Sequence, residues 1–274
     1  MKRFLLLFSF LLFFIFPSSG QLYEQNVKEI IEALAADSLS RAEGLIGQTI
    51  ALDPHKKSNA ILYQYLGEIN RRRGEHAKAI DAFSRGLDLV PSSPDLLLAR
   101  ASVYLLQDNQ AKALSDYNKV LDGNPDDEEA LFFRAYILAG QRKYKEARTD
   151  YNRLLSLNPT HENARLGLAI VNAKDGRPHE AMEQIDALVH LYPTHACHLL
   201  ARSGFYVEQK EYEKAMKDVE AAFRLEPDNP ECYLTRATLY LATKKRRLAR
   251  QDCRTAISLG ASPEQVAPLL AELK

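Results

Sequence analysis

The chain has 274 residues, of which 46% are hydrophobic and 26% are charged, and it contains no tryptophan and no low-complexity tract. This composition is typical of a folded protein and excludes a mainly disordered chain. The 36 basic and 36 acidic residues give a formal net charge of +0, so we expect no general attraction to nucleic acid or to anionic lipid.

Residues 1–20 have the three parts of a secretory signal. Two basic residues follow Met1, an apolar run covers 4–16, and small residues come before Gly20. The run is shorter than the roughly 20 residues of a spanning helix. We therefore expect cleavage before Gln21, which stands where a lipid-anchored bacterial protein would carry cysteine. The predicted mature chain is exported, periplasmic or secreted, in a bacterial cell envelope, and is not inserted in the membrane.

The rest of the chain repeats with a period of 34 residues. Prolines recur at this interval, at positions 91, 125, 159, 193 and 227. When this proline is numbered position 32, six units follow: 60–93, 94–127, 128–161, 162–195, 196–229 and 230–263. Position 20 is alanine in every unit and position 8 is always small, so two helices can approach closely there. Each unit is predicted to be an antiparallel helix hairpin with a turn near position 15.

The starts of the first helices carry capping signals. Ser93, Asn229 and Ser262 each precede a proline, an arrangement typical of a cap followed by a first-turn proline. We expect Thr160 and Thr194 to cap the first helices of their units in the same way.

This pattern over residues 60–263 resembles the tetratricopeptide repeat family in period, phase and residue size. The resemblance implies an all-α fold, a right-handed superhelical solenoid of antiparallel helix hairpins. Residues 21–59 are interpreted as a divergent N-terminal pair whose first helix lies around 27–34. Residues 264–274 are expected to form a polar capping helix over the last repeat.

Arginine occurs in the apolar first helix of four units, always at position 7, and aspartate occupies position 23 of the same four units. Positions 7 and 23 are equally far from the turn, so they lie level with each other in a hairpin. In the two remaining units both residues are absent together, as in Leu66 with Ala82 and Leu168 with Gln184. We therefore predict four ion pairs within repeats, which explain the arginines without a ligand. They are Arg100–Asp116, Arg134–Asp150, Arg202–Asp218 and Arg236–Asp252.

In proteins with this repeat the first helices line a concave surface, chiefly at positions 2, 5, 9 and 12. The resemblance thus implies an apolar groove for a partner. Its predicted residues are Leu98, Leu105, Phe132, Tyr136, Leu166, Ile170, Leu200 and Leu234. Some relatives use lysine and asparagine in the groove to bind a terminal carboxylate, and positions 5 and 9 here carry neither. An apolar segment or an amphipathic helix is the expected partner.

The sequence contains no phosphate-binding loop and no hydrolase or metalloprotease motif, so we predict no catalytic residues, no cofactor and no enzyme activity. His195, Cys197 and His198 lie close together, and His161 occupies the same repeat position as His195. A transition-metal site is one interpretation of this group. Solvated histidines at a turn are the other, and our prediction assigns no metal ligand.

The predicted function is a non-catalytic scaffold or adaptor that binds a protein or peptide. Two alternatives remain open. One is a structural subunit of an envelope assembly bound through its edges or termini, and the other is a regulatory module that senses a small ligand or metal.

Overall fold

The computed structural model of the protein describes residues 19–273, which form fifteen helices and no strand. The predicted all-α architecture of antiparallel helix hairpins is thereby confirmed. The described residues divide into two compact units, one ending at Gly123 and the other beginning at Asn124. The predicted signal segment lies outside the described residues, apart from Ser19 and Gly20, which are the first residues of helix α1.

Unit 1, up to Gly123, consists of three helix hairpins that pack in chain order. The helices are α1 (Ser19–Ala35), α2 (Leu39–Leu52), α3 (Asn59–Arg72), α4 (His76–Leu89), α5 (Pro94–Leu106) and α6 (Gln110–Gly123). Helix α1 is longer than the predicted helix around 27–34. It buries Ile30 and Ala33 against Ile46 of α2 and Leu62 of α3.

Unit 2, from Asn124 onward, consists of four hairpins and a last single helix. The helices are α7 (Glu128–Gly140), α8 (Tyr144–Leu157), α9 (Glu162–Lys174), α10 (Pro178–Leu191), α11 (Ala196–Glu208), α12 (Tyr212–Leu225), α13 (Pro230–Ala242), α14 (Arg246–Ser258) and α15 (Pro263–Glu272). Helix α15 is more than a polar cap. Its Val266 is 1% exposed and packs with Ala256 and Ala261 in the core of the last repeat.

The turn inside each hairpin has the same backbone conformation. Position 15 has a positive φ in every repeat, and the equivalent residue of the first hairpin has one too. Glycine supplies this conformation at two of the seven turns, Gly74 and Gly176. The other five turns hold a non-glycine residue in the left-handed region, which favours glycine: Asp37, Asp108, Arg142, Lys210 and Lys244.

The helices of a hairpin approach at the small residues that the sequence predicts. The six alanines at position 20 are fully buried: Ala79, Ala113, Ala147, Ala181, Ala215 and Ala249. Gly67 marks a close approach of α3 and α4, because a Cβ atom there would lie 2.2 Å from the ring of Phe83. Phe83 is itself fully buried, so its ring cannot move aside freely.

The caps agree with the prediction only in part. Asn229 accepts a hydrogen bond from the backbone N–H of Glu231, and Ser262 forms a capping box with Gln265. Ser93 stands at the N-cap of α5 without a side-chain cap bond.

The expectation for Thr160 and Thr194 was wrong, because each N-cap is the histidine one residue later. His161 Nδ1 accepts from the N–H of Ala164 at 3.1 Å, and His195 is the N-cap of α11. Imidazole nitrogen replaces the hydroxyl oxygen in the cap of α9.

Within residues 19–273, no helix combines the length and the apolar character that are needed to cross a membrane.

Candidate functional site

The position 7 arginines each form a two-point pair with an aspartate on the second helix of the same hairpin. In every pair Nε donates to Oδ2 and Nη2 donates to Oδ1, at distances of 2.7–2.9 Å. The aspartate side chains are at most 9% exposed and those of the arginines at most 28%. The pairs that the structure brings together are those assigned by the sequence: Arg100–Asp116, Arg134–Asp150, Arg202–Asp218 and Arg236–Asp252.

Arg202 and Arg100 each also contact the hairpin before their own, and the sequence pattern did not predict this contact. Nη1 of Arg202 donates to Asp186 Oδ1 on α10 at 2.9 Å, and Nη1 of Arg100 donates to Ser84 Oγ on α4 at 2.9 Å. The hydrogen bond to Asp218, reinforced by Asp186, raises the pKa of Arg202. Ser84 and Asp186 both occupy position 25 of the preceding repeat. This shared position is the sequence signal that could have predicted the two contacts.

The predicted groove residues differ widely in exposure. Tyr136 is 61% exposed and Ile170 is 42% exposed, so both present apolar surface to solvent. Leu98 and Leu105 on α5 of unit 1 are half-buried, as are Phe132 and Leu166 in unit 2. Neighbouring rings cover part of Phe132. Its ring stacks on His161 with the ring centroids 5.4 Å apart, and it makes a tilted contact with the ring of Tyr151.

Leu200 and Leu234 are the least accessible of the predicted groove residues. They are only 5% and 6% exposed and belong to the cores of their hairpins. Leu200 packs among Val219 and Cys232, and Leu234 packs near Val266 of α15. They reach solvent only as lining of a depression, not as protruding contacts.

Three depressions run along the first helices of unit 2, and neighbouring ones share residues. The first, of about 250 Å³, is lined by Tyr136, Tyr151 and Gly167. It shares Ile170 and Lys174 with the second, of about 350 Å³.

The second depression in turn shares Ala201 and Gly204 with a third, of about 440 Å³. Leu200 and Leu234 line this third depression, and Pro268 of α15 contributes to it. We call the three together the unit 2 groove.

Two glycines shape this groove. A Cβ atom on Gly204 would meet nothing within 4 Å, so the absence of a side chain there leaves open space beside α11. A Cβ atom on Gly167 would lie 2.5 Å from the ring of Tyr151, so this glycine lets the ring approach α9. Burial raises the pKa of Tyr151 to about 12, and Tyr136 and Asp150 add to this effect. Tyr151 is therefore a neutral wall of the groove at physiological pH.

A second group of polar side chains lies where α9 and α11 begin. Glu162, His195, Cys197 and His198 place one donor atom each within 4.8 Å of one another. Glu162 Oε1 is 2.9 Å from His198 Nε2 and 3.4 Å from His195 Nδ1. The Sγ atom of Cys197 is 3.8 Å from His198 Nδ1. We call these four residues the α9–α11 cluster.

His161, which the sequence grouped with His195, Cys197 and His198, is not part of this cluster. His161 shares a repeat position with His195, but its Nδ1 caps α9 and its ring stacks on Phe132. Glu162, one residue later, is the side chain that reaches the histidines. Its carboxylate was missed because Glu162 and His195 are the first and last residues of the unit 162–195, far apart in the sequence, and Cys197 and His198 belong to the next unit.

The electrostatics of the cluster are set by burial and by the carboxylate. Burial lowers the pKa of His198, although the Glu162 carboxylate opposes this effect. His198 is therefore neutral at neutral pH. Burial also raises the pKa of the Cys197 thiol, and Glu162 raises it further.

Comparison with known families agrees with this architecture. Family models described as tetratricopeptide repeat match residues 27–94, 74–128, 98–162, 134–196 and 194–229. These matches overlap and extend from 27 to 229, and they include most of the divergent N-terminal pair. The chain belongs to the tetratricopeptide repeat family. A comparison with curated proteins gives no match.

Several proteins of known structure have the same fold. A tetratricopeptide repeat protein from Parabacteroides merdae ATCC 43184 is 28% identical with a TM-score of 0.76, over 93% of this chain and 99% of that chain. PilF from Pseudomonas aeruginosa is 20% identical with a TM-score of 0.60, over 79% of this chain and 99% of that chain. YrrB, described as a TPR protein with an unusual peptide-binding site, is 20% identical with a TM-score of 0.58, over 68% and 95% of the two chains.

Proposed function

We propose that the protein is a non-catalytic scaffold or adaptor that binds a peptide or helix of a partner protein in the unit 2 groove. The observation that carries this proposal is the continuity of the three depressions, which share lining residues along the first helices of unit 2. A connected apolar surface of this kind usually marks an interaction site. YrrB offers a precedent for peptide binding on this fold.

The lining favours a partner with apolar side chains. The groove presents Ile170, Leu166 and Phe205 at its middle, with Lys174 and Glu208 among the charged residues beside them. An amphipathic helix places apolar side chains about 5–6 Å apart on one face, at intervals of three and four residues. Such a face can fill successive depressions while its polar side chains remain in water.

Gly204 gives the sharpest test of this groove. A Gly204→Glu substitution puts a charged side chain into the space between two depressions, where its Cβ atom meets nothing within 4 Å. Gly47→Glu is the matched control, since Gly47 is also exposed in a helix and a Cβ atom there also meets nothing within 4 Å.

The assay begins with partners captured from the native envelope fraction on the wild-type chain. The affinity of a purified partner is then measured for both variants. We expect Gly204→Glu to weaken binding by at least about tenfold, because it buries a charge against apolar surface. Gly47→Glu should bind as the wild type does. Undiminished binding by Gly204→Glu and by Ile170→Glu would remove the groove from consideration.

A second candidate is attachment through the edge of the repeats in an envelope assembly. One observation favours it: Leu157, Leu191 and Leu225 occupy position 30 of consecutive repeats and are 38–44% exposed. The same captured partner discriminates the two functions. Loss of binding in Leu191→Glu with full binding in Gly204→Glu would assign the partner to this edge.

We also propose that the chain is exported, on the basis of the signal pattern in residues 1–20. Fractionation of the native host and N-terminal sequencing of the mature chain test this. The expected first residue is Gln21, and a cytoplasmic chain that still begins at Met1 would contradict export.

A further inference from the structure

We propose that Glu162, His195, Cys197 and His198 form a binding site for a divalent transition-metal ion, with Zn²⁺ as the best-matched ion. The site would join the starts of α9 and α11 in unit 2. It lies outside the unit 2 groove and does not depend on the proposed partner.

The four donor atoms lie near enough to one another to close around one ion after small side-chain movements. Zinc binds nitrogen and oxygen at about 2.0–2.2 Å and sulfur at about 2.3 Å, so tetrahedral donors lie roughly 3.3–3.6 Å apart. The observed separations from Glu162 Oε1 are 2.9 Å to His198 Nε2 and 3.4 Å to His195 Nδ1. All four donor atoms fall within 4.8 Å. His195 and Cys197 are exposed, so a change of rotamer can bring their donor atoms closer.

His198 is the observation that separates a site from a chance group of turn residues. The residue is only 2% exposed, and its Nε2 lies 2.9 Å from the Glu162 carboxylate without the alignment of a regular hydrogen bond. Buried polar atoms are nearly always well bonded, so a poorly aligned contact between a buried imidazole nitrogen and a carboxylate suits a ligand that both can bind. A metal ion between the ring and the carboxylate would be such a ligand.

Tyr192 holds the two imidazoles as an outer partner would. Its ring stacks on His195 at 5.2 Å and tilts against His198 at 5.7 Å. Its hydroxyl donates to the carbonyl of Thr160 at 2.7 Å, which fixes the ring across the gap between the two repeats. These ring contacts restrict the orientation of both imidazoles, and metal sites likewise depend on surrounding residues that orient the ligands.

The charges also balance. The Glu162 carboxylate and the Cys197 thiolate carry two negative charges, and two neutral imidazoles add none, so a divalent ion makes the site neutral. On binding, the Cys197 thiol gives up its proton to solvent and its sulfur bonds to the metal. The two helix N-termini oppose a cation, but dipole effects are small beside four ligand bonds. The donor set of nitrogen, sulfur and oxygen suits Zn²⁺ and excludes ions that prefer oxygen alone, such as Mg²⁺.

The test uses the purified full chain, stripped of metal by a chelator and kept reduced, and titrates it with Co²⁺ and Zn²⁺. We expect one ion per chain, with the visible absorption of tetrahedral cobalt and a thiolate-to-cobalt charge-transfer band. Zn²⁺ should displace Co²⁺ and abolish both features. A stoichiometry far below one, or the weak absorption of octahedral cobalt, would overturn the proposal.

Variants at exposed or half-exposed ligands test the same site without disturbing the core. Cys197→Ser should remove the charge-transfer band, and His195→Ala and Glu162→Gln should each weaken Zn²⁺ binding by at least about tenfold. His190→Ala is the control, because His190 is an exposed histidine of the same unit outside the cluster. Binding that is equal in Cys197→Ser, His195→Ala and the control would assign the metal to another place and refute the site.

Discussion

The Arg100–Asp116 pair is the most buried of the four arginine pairs, with side chains 16% and 3% exposed. Asp116→Leu removes both charge-assisted hydrogen bonds and leaves the guanidinium with Ser84. Removing one partner of a buried pair costs about 3–5 kcal/mol. Because Arg100 retains some contact with water and with Ser84, we expect a loss of about 3 kcal/mol. Arg100→Leu should cost a similar amount, partly offset by Lys119, whose Nζ lies 3.9 Å from Asp116.

The double variant Arg100→Leu/Asp116→Leu should lie much closer to the wild type than the sum of the single losses. It leaves no unpaired buried charge, and apolar replacement of a buried pair is often near neutral. Urea and thermal unfolding, followed by far-ultraviolet circular dichroism, measure all four corners of the cycle. For chains of this size, a loss of about 3 kcal/mol lowers Tm by roughly 6–12 °C.

The chain provides its own control for burial. Arg85 and Asp81 form a pair at 2.9 Å on the surface of α4, where their side chains are 60% and 62% exposed. Their coupling should be only about 0.3–0.5 kcal/mol. The buried pair should show a coupling of at least about 2 kcal/mol. Additive single losses, or a coupling no larger than that of the surface pair, would refute the assignment of these arginines to their aspartates.

Three further predictions concern a close helix approach, a turn and a helix cap. Gly67→Ala should destabilise the protein by about 1–3 kcal/mol in a urea titration, because the new Cβ atom would overlap the buried ring of Phe83 on α4. Gly44→Ala, where a Cβ atom meets nothing within 4 Å, should stabilise the protein by about 0.5–1 kcal/mol in the same titration. Arg142→Gly should raise the free energy of unfolding by about 1 kcal/mol, since φ is +61° there. Gln141→Gly, at φ −80°, should lower the free energy of unfolding. A change of the same sign in both variants would contradict this reasoning. Ser262→Ala should cost about 1 kcal/mol through loss of the capping box, and an unchanged thermal midpoint would show that α15 needs no cap.

The repeat explains how much of the fold could be predicted. A fixed period gives every position six independent examples, so buried alanines and polar turns are visible by comparison within one chain. The arginine pairs could be predicted from the sequence for the same reason. The two units that have Leu66 or Leu168 in place of the arginine also have no aspartate at the partner position. The positive φ at Arg142 and Lys244 was less evident, since neither residue type favours that conformation.

The site was harder to predict because exposure depends on neighbouring hairpins. Leu200 and Leu234 share a repeat position with Phe132 and Leu166, but the residues packed around each differ. The α9–α11 cluster shows the same limit. Glu162 and His195 are the two ends of the unit 162–195, and Cys197 and His198 belong to the next unit. They meet only because the start of α11 lies beside the start of α9.

Arg202 has a consequence for how the protein unfolds. Its guanidinium is bonded to Asp218 within its own hairpin and to Asp186 in the hairpin before it. When either hairpin opens, the other loses a charge-assisted contact, so the two are coupled as nearest neighbours. Hydrogen exchange should therefore show α10 and α12 losing protection together, as one cooperative block.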